Sequence, residues 1–203
     1  MRKIGRNVLF CLVLAATVWC AGLLADRQRL SEELIRLHVV AASDSAEDQK
    51  IKLQVRDAVL NGLQQSMRDI TDVNAAKAYL QENLPKVTAL ANDALAAAGY
   101  DGEAVVTFCK ETFDKRIYDT FTLPAGIYES LRIVIGNGEG KNWWCVVFPE
   151  FCIPAAGTQF EDVAAGAGFS DALTGALTGE EPYEVRFFLL DLLGKLENKF
   201  FKE

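Results

Sequence analysis

The sequence predicts an α+β fold: an N-terminal strand and helices, then an antiparallel strand run, then a C-terminal amphipathic helix after a flexible linker. Three observations predict it. A helical apolar period runs from about residue 45 to 98, and from Glu103 to Phe148 the period changes to two. A stretch rich in Gly, Ala and Thr then separates these elements from a last helical stripe.

Leu34 to Ala41 is an apolar run broken by Arg36 and His38, which share one face of a strand while Leu37 and Val39 share the other. Ser43-Asp44-Ser45 ends it. Ser45 has the place of an N-cap, and Asp48 three residues on completes a pattern like a capping box, with Glu47 and Asp48 in the positive first turn. Ile51, Val55, Ala58, Val59, Leu63 and Met67 then recur at helical spacing. A second helix opens near Asp72 and carries Ala75, Ala76, Tyr79 and Leu80. A third follows Asn83, with Pro85 in its first turn, Val87, Leu90, Ala91, Ala94 and Leu95 along it, and Gly99 as its stop.

Val105, Thr107 and Cys109 oppose Val106, Phe108 and Lys110 as the two faces of a strand do. Ile117 to Leu123 is extended, and Pro124-Ala125-Gly126 turns the chain. Tyr128 to Ile135 is a strand, Gly136 to Lys141 a hairpin turn, and Asn142 to Phe148 the antiparallel partner. Trp143 and Trp144 alternate onto opposite faces, so one can enter a core while the other meets solvent or a partner. Residues 155–182 carry no period and are expected to be a linker. In Glu184 to Lys202 the stripe is Val185, Phe188, Leu189, Leu192, Leu193, Leu196 and Phe200, with Phe187 and Leu190 on its polar side. That stripe either docks on the domain or lies on a membrane or a partner.

The chain has 203 residues, half of them hydrophobic, and a formal charge of -7. Arg2, Lys3 and Arg6 precede an uncharged apolar run, Val8 to Ala25, so residues 1–25 read as a signal peptide or signal anchor, with the rest of the chain facing outward. Neither cleavage nor anchoring is favoured: Leu23 and Trp19 stand where the two cleavage sites would want small residues, and the run is at the lower limit for a span. Beyond residue 25 there remain 18 basic against 28 acidic residues. Such a surface does not displace counterions from phosphates, which excludes nucleic acid. The expected organisation is 1–25 signal, 30–153 α+β domain, 155–182 linker and 183–203 helix.

Outside the signal lie Cys109, Cys145 and Cys152, an odd number that leaves one bridge and one thiol, or no bridge. Cys145 and Cys152 flank Pro149, where a turn would let them meet. The alternative is three small buried apolar side chains. With no CxxC and a single histidine, neither metal nor cofactor is expected. Gly136-Asn-Gly-Glu-Gly-Lys141 joins two strands and lacks the ending of a phosphate loop. Asp44, Asp48 and Asp57 are one candidate carboxylate cluster, though the first two have capping roles. Cys109 with His38 is a thiol and its base without an orienting third group. Arg56 and Asp57, adjacent on a helix, point in different directions.

Several segments together resemble the stage II sporulation protein R family of endospore-forming bacteria. They are Ile35-Arg36-Leu37-His38-Val39, Ser43-Asp44-Ser45 with Asp48-Gln49 and Leu53, and Val55-Arg56-Asp57-Ala58-Val59. Tyr118, Pro124 to Leu131, Gly138, Asn142 to Pro149 and Cys152 continue the series, and Glu184 to Leu190 resembles tails of the family. Ala41-Ala42-Ser43 stands where the family usually has Ala-Asn-Ser, and His38 where a basic residue is common. The resemblance implies a signalling protein, not an enzyme. It would be exported between the forespore and mother-cell membranes, where it triggers a membrane-embedded aspartic protease that removes the pro-sequence of sigma-E. Trp143 and Trp144, with Tyr128 and Asn142 in the same motifs, are the candidate partner-binding residues; Asp44, Asp48, Arg56 and Asp57 are structural-motif residues. Two other classes compete: an extracytoplasmic cell-wall hydrolase, and a structural module tethered to the membrane at both ends.

Overall fold

The computed structural model describes residues 2–118, 121–149, 164, 168–180 and 183–201. Helix α1 (Arg2–Glu33) leads into β1 (Ile35–Val40), followed by α2 (Ala46–Met67), α3 (Val73–Glu82) and α4 (Leu84–Ala97). Strands β2 (Ala104–Phe113), β3 (Arg116–Ile117), β4 (Thr122–Leu123), β5 (Gly126–Ile135) and β6 (Asn142–Phe148) come next, then α5 (Asp171–Thr178) and α6 (Glu184–Phe201). Of the two caps expected, Ser45 acts as one and Asn83 makes no side-chain cap bond to α4; Asp72, where a helix start was expected, caps α3. Ser45 accepts from the Asp48 amide at 3.1 Å and Asp72 from the Ala75 amide at 2.8 Å, each satisfying a first-turn donor that has no partner inside its helix.

The four long strands form one mixed sheet in the order β2-β5-β1-β6, with β1 parallel to β5 and the other pairs antiparallel. The hairpin expected between β5 and β6 is therefore corrected: β1 lies between them. β1 is buried on both faces along almost its whole length, and burial of that kind belongs in the middle of a sheet. The segment from Gly136 to Lys141 steps across the end of β1 and bonds to the chain leaving it: the Gly140 amide donates to Ala41 O at 2.9 Å and the Glu139 amide to Ala42 O at 3.2 Å. Across the stretch expected to be extended, β3 and β4 pair antiparallel, Arg116 with Leu123 and Ile117 with Thr122.

Strand alternation sends Ile35, Leu37 and Val39 into a core with α2, α3 and α4, where Val55, Val59, Leu63, Leu80, Val87 and Leu95 are buried. The opposite face of the sheet carries a second core of Leu23, Leu30, Leu34, Phe113, Leu123, Tyr128, Val146 and Leu190. Leu23 and Leu30 belong to α1, so the helix that begins as an apolar run ends as part of the domain. Within the segment read as a linker, α5 is a helix capped by Ser170 and closed by Gly179 at φ 80°, and its Leu173, Ala176 and Leu177 are buried. Its small residues permit this close approach: a Cβ at Gly175 would meet the Tyr183 ring.

The C-terminal helix docks by the face opposite to the one its stripe suggests. Leu190, Asp191, Gly194 and Asn198 are buried, whereas Val185, Phe188, Leu192, Leu196 and Phe200 face outward. Backbone polarity explains the choice. Asp191 Oδ1 accepts from the Ala125 amide at 2.9 Å and Asn198 Nδ2 donates to Phe113 O at 2.8 Å, satisfying main-chain groups at the end of β2 and the start of β5. Gly194 allows the approach, because a Cβ there would overlap the Ala125 carbonyl. Gly194→Ala is accordingly expected to lower stability by about 2 kcal/mol, the scale of overpacking a tight contact. Urea unfolding of the detergent-solubilised chain, with amide exchange in 184–201, measures both the loss and the undocking.

Candidate functional site: a clasp and an aromatic–cationic face

The motifs at residues 43–49 and 138–142, distant in sequence, meet at the far end of β1. Asp44 Oδ1 accepts from the Lys141 amide at 2.7 Å, and Gln49 Nε2 donates to Ser43 O at 2.8 Å. The Ser43 hydroxyl donates to the Asp48 carboxylate. Lys52, almost fully buried, donates to Lys141 O at 2.9 Å and to Gln49 Oε1 at 2.6 Å. Burial pushes the Lys52 ammonium below its usual range, and neighbouring Arg56 adds to the shift. A Cβ at Gly140 would overlap the Ser43 carbonyl. Asp44 and Asp48 thus tie a loop crossing to a helix start. Asp57 takes the Arg56 guanidinium, whose Nε donates at 2.8 Å, so these neighbours do pair: the long Arg side chain folds back along the helix surface. That guanidinium also lies 4.3 Å from the Trp143 ring centroid.

Trp143 and Trp144 fall on opposite faces of β6, both half-buried. Trp143 packs on the core beneath α2–α4, Trp144 on the second core. On Trp144's face, strand pairing aligns Arg36 and His38 of β1, Glu111 and Phe113 of β2, and Tyr128 and Arg132 of β5. Arg36 is fully buried. Its guanidinium lies 4.0 Å from the Phe113 ring centroid and 5.1 Å from that of Tyr128, and Nη2 donates to the Tyr118 hydroxyl at 2.8 Å. Arg36 Nε and Nη1 have no acceptor among the described residues. Burial pushes the Tyr128 phenol up to about 12 and raises Tyr118, so both stay neutral hydrogen-bonding groups beside the cation.

Farther along the face, His38 stacks on Trp144 at 5.6 Å between centroids, and Arg116 lies 3.5 Å from the Trp144 centroid. His38 Nδ1 meets Glu111 Oε1 at 3.1 Å and Nε2 meets Asn142 Oδ1 at 3.1 Å; Arg132 Nε is 3.5 Å from the same Glu111 oxygen. Burial alone would raise the Glu111 carboxyl. The His38 hydrogen bond and the charges of His38 and Arg132 outweigh it, and the pKa lies below the ordinary glutamate value. Cys109 is shifted the other way: burial, with Glu111 nearby, pushes its thiol up. A raised thiol with His38 engaged elsewhere lacks the features of an activated nucleophile.

Of the expected contact residues, then, Trp144 and Asn142 share this face, Trp143 lies across the sheet, and Tyr128 supports the face from within, its hydroxyl donating to Pro124 O at 2.9 Å. Glu111, Arg116, Arg132 and Lys52 were missed. Strand parity between 105–113 and 128–135 could have put Glu111 and Arg132 on one face, but the insertion of β1 is what brings His38 to them; nothing local to Arg116 announces its place on Trp144. Cys145 is buried, and its suggested bridge partner Cys152 lies outside the described residues. Among the described residues no three His, Cys, Asp or Glu gather as a metal site would.

Fold and surface together define a class: an α+β domain led by an apolar helix long enough to cross a membrane, with an aromatic–cationic face on its sheet. Residues 31–157 match the family model described as stage II sporulation protein R. The chain is 31% identical over 185 residues to stage II sporulation protein R of Bacillus subtilis (strain 168), covering 82% of this chain and 83% of that protein. It belongs to the stage II sporulation protein R family, and its role is in sporulation. No solved structure matches it.

Two measurements probe the clasp and the face. Gly140→Ala is expected to destabilise by about 2 kcal/mol in urea unfolding. Glu111→Gln is expected to cost about 1 kcal/mol at neutral pH. A carboxyl whose pKa is held down in the fold stabilises above its unfolded value, and that contribution is lost as pH falls through the folded value. The gap between wild type and Glu111→Gln should therefore shrink once pH drops below about 4.3; unfolding midpoints across pH read it directly.

Proposed function

We propose that the protein is an exported, non-enzymatic signal that activates a membrane-embedded aspartic protease by binding it, and so promotes removal of the sigma-E pro-sequence. One observation carries this reading: the segment shared with the family assembles its motifs into a clasp and an aromatic–cationic face, while Asp44, Asp48, Asp57, His38 and Glu111 are engaged in contacts within the fold. Export rests on the cationic start and apolar run of α1. Against a hydrolase, the three aspartates are occupied by a backbone amide, a hydroxyl and a guanidinium rather than gathered as an acid–base pair.

Activation by binding needs a difference in affinity between the two states of the protease. A shift from 1:99 to 99:1 requires about 5.5 kcal/mol, and each hot-spot Trp or Arg contributes about 2 to 4 kcal/mol. Contacts made by Trp144 and Arg116 only in the active state would be of the same order as that requirement. Arg132, six residues along β5 from Gly126, stands roughly 20 Å up the sheet from the end where α1 packs, so the part of the face around Arg132, His38 and Trp144 lies away from that end.

The test is co-expression in a non-sporulating host with the cognate protease and pro-sigma-E. Trp144→Ala is expected to cut processing at least about tenfold, equivalent to about 1.4 kcal/mol of binding, at unchanged protein level and fold. Trp143→Ala, on the opposite face, should act mainly on stability. Full processing by a folded Trp144→Ala/Arg116→Ala variant would exclude this face, and absence of processing by the folded wild type would exclude the function.

A further inference from the structure

The docked C-terminal helix leaves an apolar stripe whose direction is set by α1. Val185, Phe188, Leu192, Leu196 and Phe200 are 42–72% exposed. At 100° per residue they centre on the side of α6 opposite Gly194, which faces the end of the sheet. Two ion pairs show how α6 meets α1. Arg186 Nε donates to Asp26 at 2.6 Å, and Arg27 pairs with Glu197. Arg186 and Glu197 are eleven residues apart, about 16 Å along α6, yet they meet consecutive residues of α1. The two helices therefore cross; they do not run side by side.

The crossing lies where α1 leaves the domain. Leu23, Asp26, Leu30 and Leu34 are buried, whereas every residue from Ile4 to Ala21 is exposed. Those 18 residues span about 27 Å, close to the thickness of a hydrocarbon core. From the crossing, α1 runs toward the sheet in one direction and away from the domain in the other. Across it, α6 turns its docked face to the sheet and its apolar stripe toward the side where the exposed part of α1 departs. Lys195, paired with Asp191 at 2.7 Å, borders the stripe on one side, and Lys199 falls within it in the last turn, where its long stem lets the ammonium reach lipid headgroups.

From this geometry we infer that α6 lies flat on the lipid surface into which α1 inserts, with Phe188, Leu192 and Leu196 buried among headgroups and upper acyl chains. The domain is then held by a span and by a surface helix locked together through Asp26–Arg186 and Arg27–Glu197, which fixes its orientation above the bilayer. This goes beyond the proposed signalling role and does not depend on which surface meets the protease.

The experiment uses the full chain in phosphatidylethanolamine/phosphatidylglycerol vesicles, with dansylalanine placed singly at Leu192, Leu196, Leu12 or Val105. Leu12 lies in the exposed run of α1, and Val105 is 59% exposed at the opposite end of the sheet, paired with Val134. Doxyl-labelled lipid and aqueous iodide are the two quenchers. The expected result is strong lipid quenching at Leu192 and Leu196, as at Leu12, with iodide quenching about fivefold weaker than at Val105. If iodide reaches Leu192 and Leu196 as freely as Val105 while Leu12 still reports lipid, α6 is off the membrane and the proposal is overturned. Shielding from both quenchers means that protein, such as a second copy of the chain, covers the stripe, which also overturns it. Iodide access at Leu12 removes the membrane placement of α1, and the proposal falls with it.

Discussion

Insertion of β1 between β5 and β6 is the constraint on which the rest of the molecule depends. A strand with neighbours on both sides and cores on both faces must give up nearly all contact with water, and Ile35, Leu37 and Val39 do so. The connection from β5 to β6 must then cross the end of β1. That crossing creates the clasp, in which Gly140 passes against the Ser43 carbonyl while Asp44 and Lys52 hold the Lys141 backbone. The register on β1 also sets Trp144 opposite His38 and Trp143 opposite Val39, which decides which tryptophan faces which layer.

The same strand carries a fully buried cation, Arg36. Taking a guanidinium out of water costs several kcal/mol unless its charge is met. Arg36 meets the rings of Phe113 and Tyr128 and one hydroxyl, so its surroundings polarise toward it without a carboxylate among its described partners. A buried charge of this kind is often no more stabilising than a packed apolar side chain. Its benefit lies in geometry: it gathers β2, β5 and Tyr118 around one point, beneath the face where Arg116 and His38 frame Trp144. The domain and its apolar leading helix are joined through a comparable device, since Asp26 and Arg27 of α1 pair with α6 while Arg27 also donates to the Ala125 carbonyl beside β5.

Much of this was legible from local chemistry. The cap at Ser45, the helix start near Asp72, the stripe of α2, the stop at Gly99 and the opposite-facing tryptophans all follow from rules that act over three or four residues. The ordered motifs gave the family as well. Harder to read were the features that depend on partners far away. The β5–β6 turn looked like a hairpin because nothing within Gly136 to Lys141 reveals a third strand. The stripe of α6 pointed outward because two backbone groups, on Phe113 and Ala125, selected Asn198 and Asp191 instead.

The sequence by itself determined the elements, the apolar leader and the membership of the chain in its family, because periodicity, capping and ordered motifs are written in neighbouring residues. Only the tertiary structure decided that β1 is central, that Glu111, Arg116 and Arg132 join His38 and Trp144, and that α6 crosses α1 with its apolar side turned away from the sheet. Those outcomes rest on unpaired backbone groups and buried charge finding partners across the molecule, a global condition that no local pattern encodes.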